Sequence, residues 1–105
     1  MSIVSVSITG PDAEWLAEHA QVLVEERLAA CGNIIPAIRS IYRWEDRVED
    51  DTEGYLLLHT QAACVDALIE RTNQRHPYDT VQILATEVTV ADPAYRRWVL
   101  DETAP

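Results

Sequence analysis

The stretch that decides the fold begins Asn33-Ile34-Ile35-Pro36-Ala37-Ile38-Arg39-Ser40-Ile41-Tyr42-Arg43-Trp44, passes through acidic residues from Glu45 to Glu53, and resumes at Tyr55-Leu56-Leu57-Leu58-His59-Thr60. Its first part is rich in isoleucine and aromatics and reads as a long strand, with Pro36 at a bulge or bend. The acidic part contains the turn. Tyr55 to Thr60 is the return strand, so the whole is a hairpin.

Units of strand and helix lie on either side of it. Ser2 to Thr9 alternates, with Val4, Val6 and Ile8 on one face, the pattern of a half-buried strand. Gly10-Pro11-Asp12 marks a turn and a helix start. Leu16, Ala20, Leu23, Val24 and Leu28 then fall on one helical face. Gly32-Asn33, both tolerant of left-handed backbone, are the expected stop. After the hairpin, Gln61 to Arg75 reads as a second helix with Val65, Leu68, Ile69 and Thr72 inward. His76-Pro77-Tyr78-Asp79 breaks it. Val81 to Val90 is a strand, and Asp92-Pro93 starts a last helix carrying Tyr95, Trp98 and Val99.

The order β-α-β-β-α-β-α predicts an α+β, ferredoxin-like domain over residues 1–105, with an antiparallel sheet and an extra C-terminal helix. Both main helices then cover one sheet face. The other face keeps apolar residues, and the hairpin edges stay open, which together predict an oligomer.

Composition bounds the function. The 105 residues suit one domain, and 48% hydrophobic with 25% charged residues is the balance of a globular protein. No apolar run approaches the ~20 residues that span a bilayer. The start of the chain has neither a basic n-region nor an apolar h-region, so a cytoplasmic protein without a membrane partner is expected. Net charge is −10, which repels phosphate backbones and argues against nucleic acid. All eight basic residues are arginine, which excludes Schiff-base and P-loop lysine chemistry. Catalytic motifs such as G-x-S-x-G, Gly-rich phosphate loops and H-E-x-x-H are missing, so no enzyme is expected.

Four stretches together resemble the CutA-type divalent-cation tolerance proteins. They are Arg27-Leu28-Ala29-Ala30-Cys31-Gly32-Asn33-Ile34-Ile35-Pro36, Ser40-Ile41-Tyr42-Arg43-Trp44-Glu45, His76-Pro77-Tyr78 and Tyr95-Arg96-Arg97-Trp98. The resemblance implies a ferredoxin-like subunit in a homotrimer, association with copper and other divalent cations, and no organic cofactor. The copper ligation proposed for family members uses a cysteine late in the first strand and two adjacent histidines before Pro-Tyr. Those positions here are Ile8, Arg75 and His76, so His76 is the metal ligand that the resemblance leaves. The implied trimer is similar to that of the PII signalling proteins. That likeness opens an alternative, a small anionic effector held in inter-subunit clefts by Arg27, Arg39 and Arg75.

The individual residues carry competing readings. His76 is a metal or effector ligand, or a histidine complementing a helix C-terminus. Arg27, Asn33, Tyr42, Trp44, Arg75 and Tyr78 line a ligand cleft or the trimer interface. Cys31 and Cys64 read as free, buried packing residues. Glu45, Asp46, Glu49, Asp50, Asp51 and Glu53 lack a calcium-loop pattern and read as a solvated hairpin tip. Trp15 and Trp98 read as packing, His19 as a helix-surface residue, and His59 as a hydrogen-bonded structural residue.

Overall fold

Alternation along β1 (Ile3–Gly10) turns Val4, Val6 and Ile8 inward, and all three are buried. A computed structural model describes residues 2–104, so the outermost residues of the expected 1–105 domain lie outside the described residues. The elements that follow are α1 (Ala13–Glu25), β2 (Cys31–Trp44), β3 (Arg47–Gln61), α2 (Val65–Arg75), β4 (Ile83–Glu87) and α3 (Pro93–Glu102). A short 3-10 turn, Ala62–Cys64, joins β3 to α2.

The sheet order is β2-β3-β1-β4, and every neighbouring pair is antiparallel. Two crossovers therefore interleave: β3 lies between β1 and β2, and β1 lies between β3 and β4. This is the expected ferredoxin-like arrangement. Leu16, Ala20 and Leu23 of α1 and Leu68 of α2 meet Val4, Val6, Ile8, Leu56 and Leu58 in one core. Each fully buried leucine or isoleucine contributes about 1.5–3 kcal/mol. Gly54 permits the close approach of β3 to α1, since a Cβ there would stand 2.7 Å from Leu16 Cδ1 and 3.2 Å from the Asp12 backbone. The Asp12 carboxylate accepts from Trp15 N–H at 2.8 Å and caps α1.

The opposite face is covered only at one end. There α3 sets Val99 against Ile3 and Ala30. Ile35 of β2 and Leu84 of β4, on the same face by register, stay 52% and 59% exposed.

Several boundaries differ from the sequence reading. Helix α2 begins at Val65, not at Gln61, which closes β3. Helix α1 ends at Glu25, well before Gly32-Asn33, which lie in β2. The left-handed residue is Arg27, at φ 63°. Arg27 N–H bonds Val24 O and Leu28 N–H bonds Leu23 O, the paired bonds of a Schellman motif. Leu28, past the helix end, is still buried, whereas Val24 is exposed. Strand β4 is shorter than Val81 to Val90. The return strand starts well before Tyr55: a two-residue turn, Glu45-Asp46, links Trp44 to Arg47, and the acids beyond it continue β3. Some of its charges are paired, either across to β2 or along the strand itself. Arg39 grips Asp50 through two bonds of 2.9 and 2.7 Å, and Arg47 lies 3.4 Å from Glu49. The bulge expected at Pro36 is present, as the register slips between Ile35 and Ile38. The resulting arm makes the chain 44 Å long but only 26 by 22 Å across.

Candidate functional site

Cross-strand partners share a face, so the register puts Tyr42 beside Glu49, Ser40 beside Asp51 and Ile38 beside Glu53 on one side of the arm. That side meets the segment after α2, and between them lies a cleft of about 750 Å³. Tyr42, Trp44, Asp51, Glu53, Tyr78 and Asp79 are in its wall. Tyr42 donates its hydroxyl to Asp51 Oδ2 at 2.5 Å, and Tyr78 donates to Glu53 Oε2 at 3.1 Å. The field inside is negative, and the phenols register it. The bond to Asp51, burial and the surrounding carboxylates push the Tyr42 hydroxyl up to about 12. Burial, then the charge and hydrogen bond of Glu53, push Tyr78 up to about 12.

His76 closes α2 in extended conformation, as a residue before proline must. Its ring is buried and lies 4.6 Å from the rings of both Trp15 and Tyr78. Nε2 faces Thr9 O at 2.9 Å, and Nδ1 faces the Tyr78 N–H at 3.1 Å. A carbonyl only accepts and an N–H only donates, so Nε2 carries the proton and Nδ1 gives its lone pair to Tyr78. Neither nitrogen is left for a metal ion. The expectation of His76 as ligand gives way to a prop that fixes Tyr78 in the cleft wall. Ile8, where the resemblance would put a cysteine, is wholly buried in the core.

The arginines do not converge. Arg27 reaches Asp101 O at 2.9 Å, at the end of α3. Arg75 points to His19, and Arg39 is held by Asp50. Asn33 is exposed on the outer sheet face, opposite Leu57. Of the six cleft residues expected, the structure brings Tyr42, Trp44 and Tyr78 together and sends Arg27, Asn33 and Arg75 elsewhere. Asp51 and Glu53, read from the sequence as part of a solvated hairpin tip, also line the cleft. Their signal lay in the two-residue alternation of the hairpin, once the turn is placed at Glu45-Asp46. Among the described residues, no group of three or more His, Cys, Asp or Glu side chains forms a ready-made metal centre. No helix among them is long and apolar enough to cross a membrane.

Comparison with known proteins places this geometry in a family. The family model described as CutA1 divalent ion tolerance protein matches residues 4–102. The divalent-cation tolerance protein CutA of Thermus thermophilus is 41% identical over 98 residues, covering 93% of this chain and 95% of that protein. Protein CutA of Mus musculus is 39% identical over 98 residues, but the chain spans only 55% of its length. Among solved structures, a divalent cation tolerance protein (Cut A1) of Thermus thermophilus superimposes with a TM-score of 0.94 at 39% identity, over 97% of this chain and 99% of that one. CutA1 of Oryza sativa gives 0.96 at 33% identity, over 99% and 95%. With a family model matching residues 4–102 and relatives alike in sequence and fold along almost its whole length, the chain belongs to the CutA1 divalent ion tolerance protein family.

Proposed function

We propose that the chain acts in the cytoplasm as a homotrimer that binds divalent cations, copper included, without catalysing a reaction. The carrying observation is the pairing of Asp51 with Tyr42 and of Glu53 with Tyr78 in one arginine-free cleft. Oxygen donors of this kind suit hard and borderline divalent ions, and copper(II) stands highest among first-row ions at any such site. Two carboxylates from one chain leave room for water or for a neighbouring subunit to complete the coordination. The trimer is supported by the exposed Ile35 and Leu84 on the uncovered sheet face and by Ile41 and Val48 on the far side of the arm. The part of the cleft wall that this chain supplies offers an anionic effector no arginine among the described residues.

The test is a calorimetric titration of copper(II), then manganese(II), into the purified protein, its wild-type form set beside Asp51→Asn/Glu53→Gln. Mass in solution should be three times that of the chain. Tighter binding of copper than manganese is expected, with manganese binding lost and the copper stoichiometry lowered in the double variant. Binding indifferent to the double variant would overturn the cleft as the site.

A further inference from the structure

A second constellation lies at the other end of the sheet. The register pairs Cys31 of β2 directly with His59 of β3. Both lie on the face away from the main core, because their neighbours Gly32 and Leu58 face it. Cys31 is therefore half-buried, not the core residue expected from the sequence. Helix α3 begins at the Asp92 cap and lays Tyr95 over the pair. The Tyr95 hydroxyl is 2.8 Å from His59 Nδ1 and 3.1 Å from Cys31 Sγ. Cys31 Sγ and His59 Nδ1 are 3.6 Å apart.

That last separation is informative. A tetrahedral zinc ion has Zn–S of about 2.3 Å and Zn–N of about 2.0–2.1 Å, which holds its sulfur and nitrogen donors about 3.6 Å apart. The two side chains thus already stand at the bite of a metal, on adjacent strands whose backbone bonds fix them. Tyr95 is partly exposed, which leaves a route from solvent.

We propose that Cys31, His59 and Tyr95 form a second metal site, for a borderline-soft divalent cation such as zinc. Cys31 supplies a thiolate and His59 its Nδ1 lone pair. Tyr95 supplies a hydroxyl oxygen, to the ion or to a bound water. A water completes the shell. On binding, the Cys31 thiol proton passes to solvent, and the hydrogen bonds to Sγ and Nδ1 are exchanged for metal bonds. The proposal is independent of the cleft. His59 pairs with Ser5, whereas the cleft begins at Thr9, and its donors are sulfur and nitrogen where the cleft offers only oxygen. Cys64, fully buried in the turn before α2, is too enclosed to serve and is an internal control.

Cobalt(II) is the probe, because a thiolate bound to it gives a charge-transfer absorption that oxygen donors do not. The full-length protein titrated with cobalt(II) should show that band, and zinc(II) should bleach it. Cys31→Ser should remove the band, and His59→Gln should weaken cobalt binding at least about tenfold. Cys64→Ala and Asp51→Asn/Glu53→Gln should keep it. Circular dichroism on each variant establishes that it is folded. A wild-type protein without the band, or a band that survives Cys31→Ser, would overturn the proposal. Loss of calorimetric binding in the cleft variant alone would bear on the cleft and leave this site standing.

Discussion

Arg75 Nε donates a hydrogen bond to Nδ1 of His19 across 3.1 Å, tying α2 to α1. A guanidinium can only donate, so Nδ1 must hold a lone pair and the proton sits on Nε2. Nε2 then donates to Thr72 Oγ1 at 2.8 Å. The His19 ring is completely buried and stacks on Trp15 at 5.0 Å, where the sequence had suggested a helix surface. Burial first, then the charges of Arg75, His76 and Arg71, lower its pKa to about 4. Trp15 touches both His19 and His76, so this buried pair of rings is continuous with the wall of the cleft.

This relationship makes stability depend on pH. The folded pKa lies below the unfolded 6.5, so as pH falls the unfolded chain takes up the proton first. The contribution of His19 is complete above pH 6.5 and is lost as pH falls from 6.5 to about 4, by about 2–3 kcal/mol. Urea unfolding at pH 7.5 and 4.5 should show the loss. His19→Gln, which can still accept from Arg75 and donate to Thr72, should abolish most of it. The Glu26 carboxylate, lowered by its bond to Arg71, acts in a separate window below its usual pKa. An unchanged slope in His19→Gln would refute the assignment.

The tip of the arm carries avoidable strain. Glu45 and Asp46 have φ of 48° and 64°, the left-handed pair of a type I′ turn that Asn-Gly adopts most readily. Replacing them with Asn-Gly should stabilise the protein by about 1 kcal/mol. The readout is the urea midpoint at constant m-value.

Much of the fold was legible because hydrophobic period and turn chemistry agree. Val4, Val6 and Ile8 alternate, Leu16 and Leu23 keep helical spacing, and Asp12 and Asp92 are caps that function as caps. What failed was decided by tertiary contact. Arg27 takes the left-handed position usual for glycine because its backbone and guanidinium are used elsewhere. The acids of β3 stay in a strand because Arg39 and Tyr42 stand opposite them. The state of the His76 nitrogens depends on Thr9 O, 67 residues away in sequence. His19 could have been found: it lies between Leu16 and Leu23 on the inner face of α1.

Arg27 separates two effects that a single substitution mixes. Its carbonyl accepts from Ala104 N–H, and its guanidinium reaches the last turn of α3 at Asp101 O. Arg27→Ala loses the side-chain bond and keeps the strained φ, whereas Arg27→Gly loses the bond and relieves the strain. Arg27→Gly should therefore be about 1 kcal/mol more stable than Arg27→Ala in thermal unfolding. Equal stability would show that the Schellman position carries no strain.

Thr60 Oγ1 is the one buried side-chain polar atom among the described residues without a hydrogen-bond partner. It faces the core beside Leu58, so its hydroxyl is desolvated for nothing. Thr60→Val removes that cost while keeping the branched shape and should raise stability by about 1 kcal/mol. A loss of stability instead would mean that a water reaches the hydroxyl.

The phenols report the charge of the cleft directly. Tyr42 and Tyr78 should ionise near 12, two units above a free tyrosine, but for different leading reasons. For Tyr42 the hydrogen bond to Asp51 comes first, and for Tyr78 burial comes first. Asp51→Asn should therefore lower the Tyr42 value more than the Tyr78 value. Glu53→Gln should lower Tyr78 more, through loss of the charge and weakening of the bond it assists. Difference ultraviolet titration of the protein against its Tyr42→Phe and Tyr78→Phe variants isolates each phenol from Tyr55 and Tyr95. Because the folded values exceed the unfolded 10, the stability that these bonds contribute is full below pH 10 and disappears as pH rises towards 12. Phenols that titrate near 10 in the folded protein would mean that the carboxylates do not face them. The cleft would then lack the negative field on which cation binding depends.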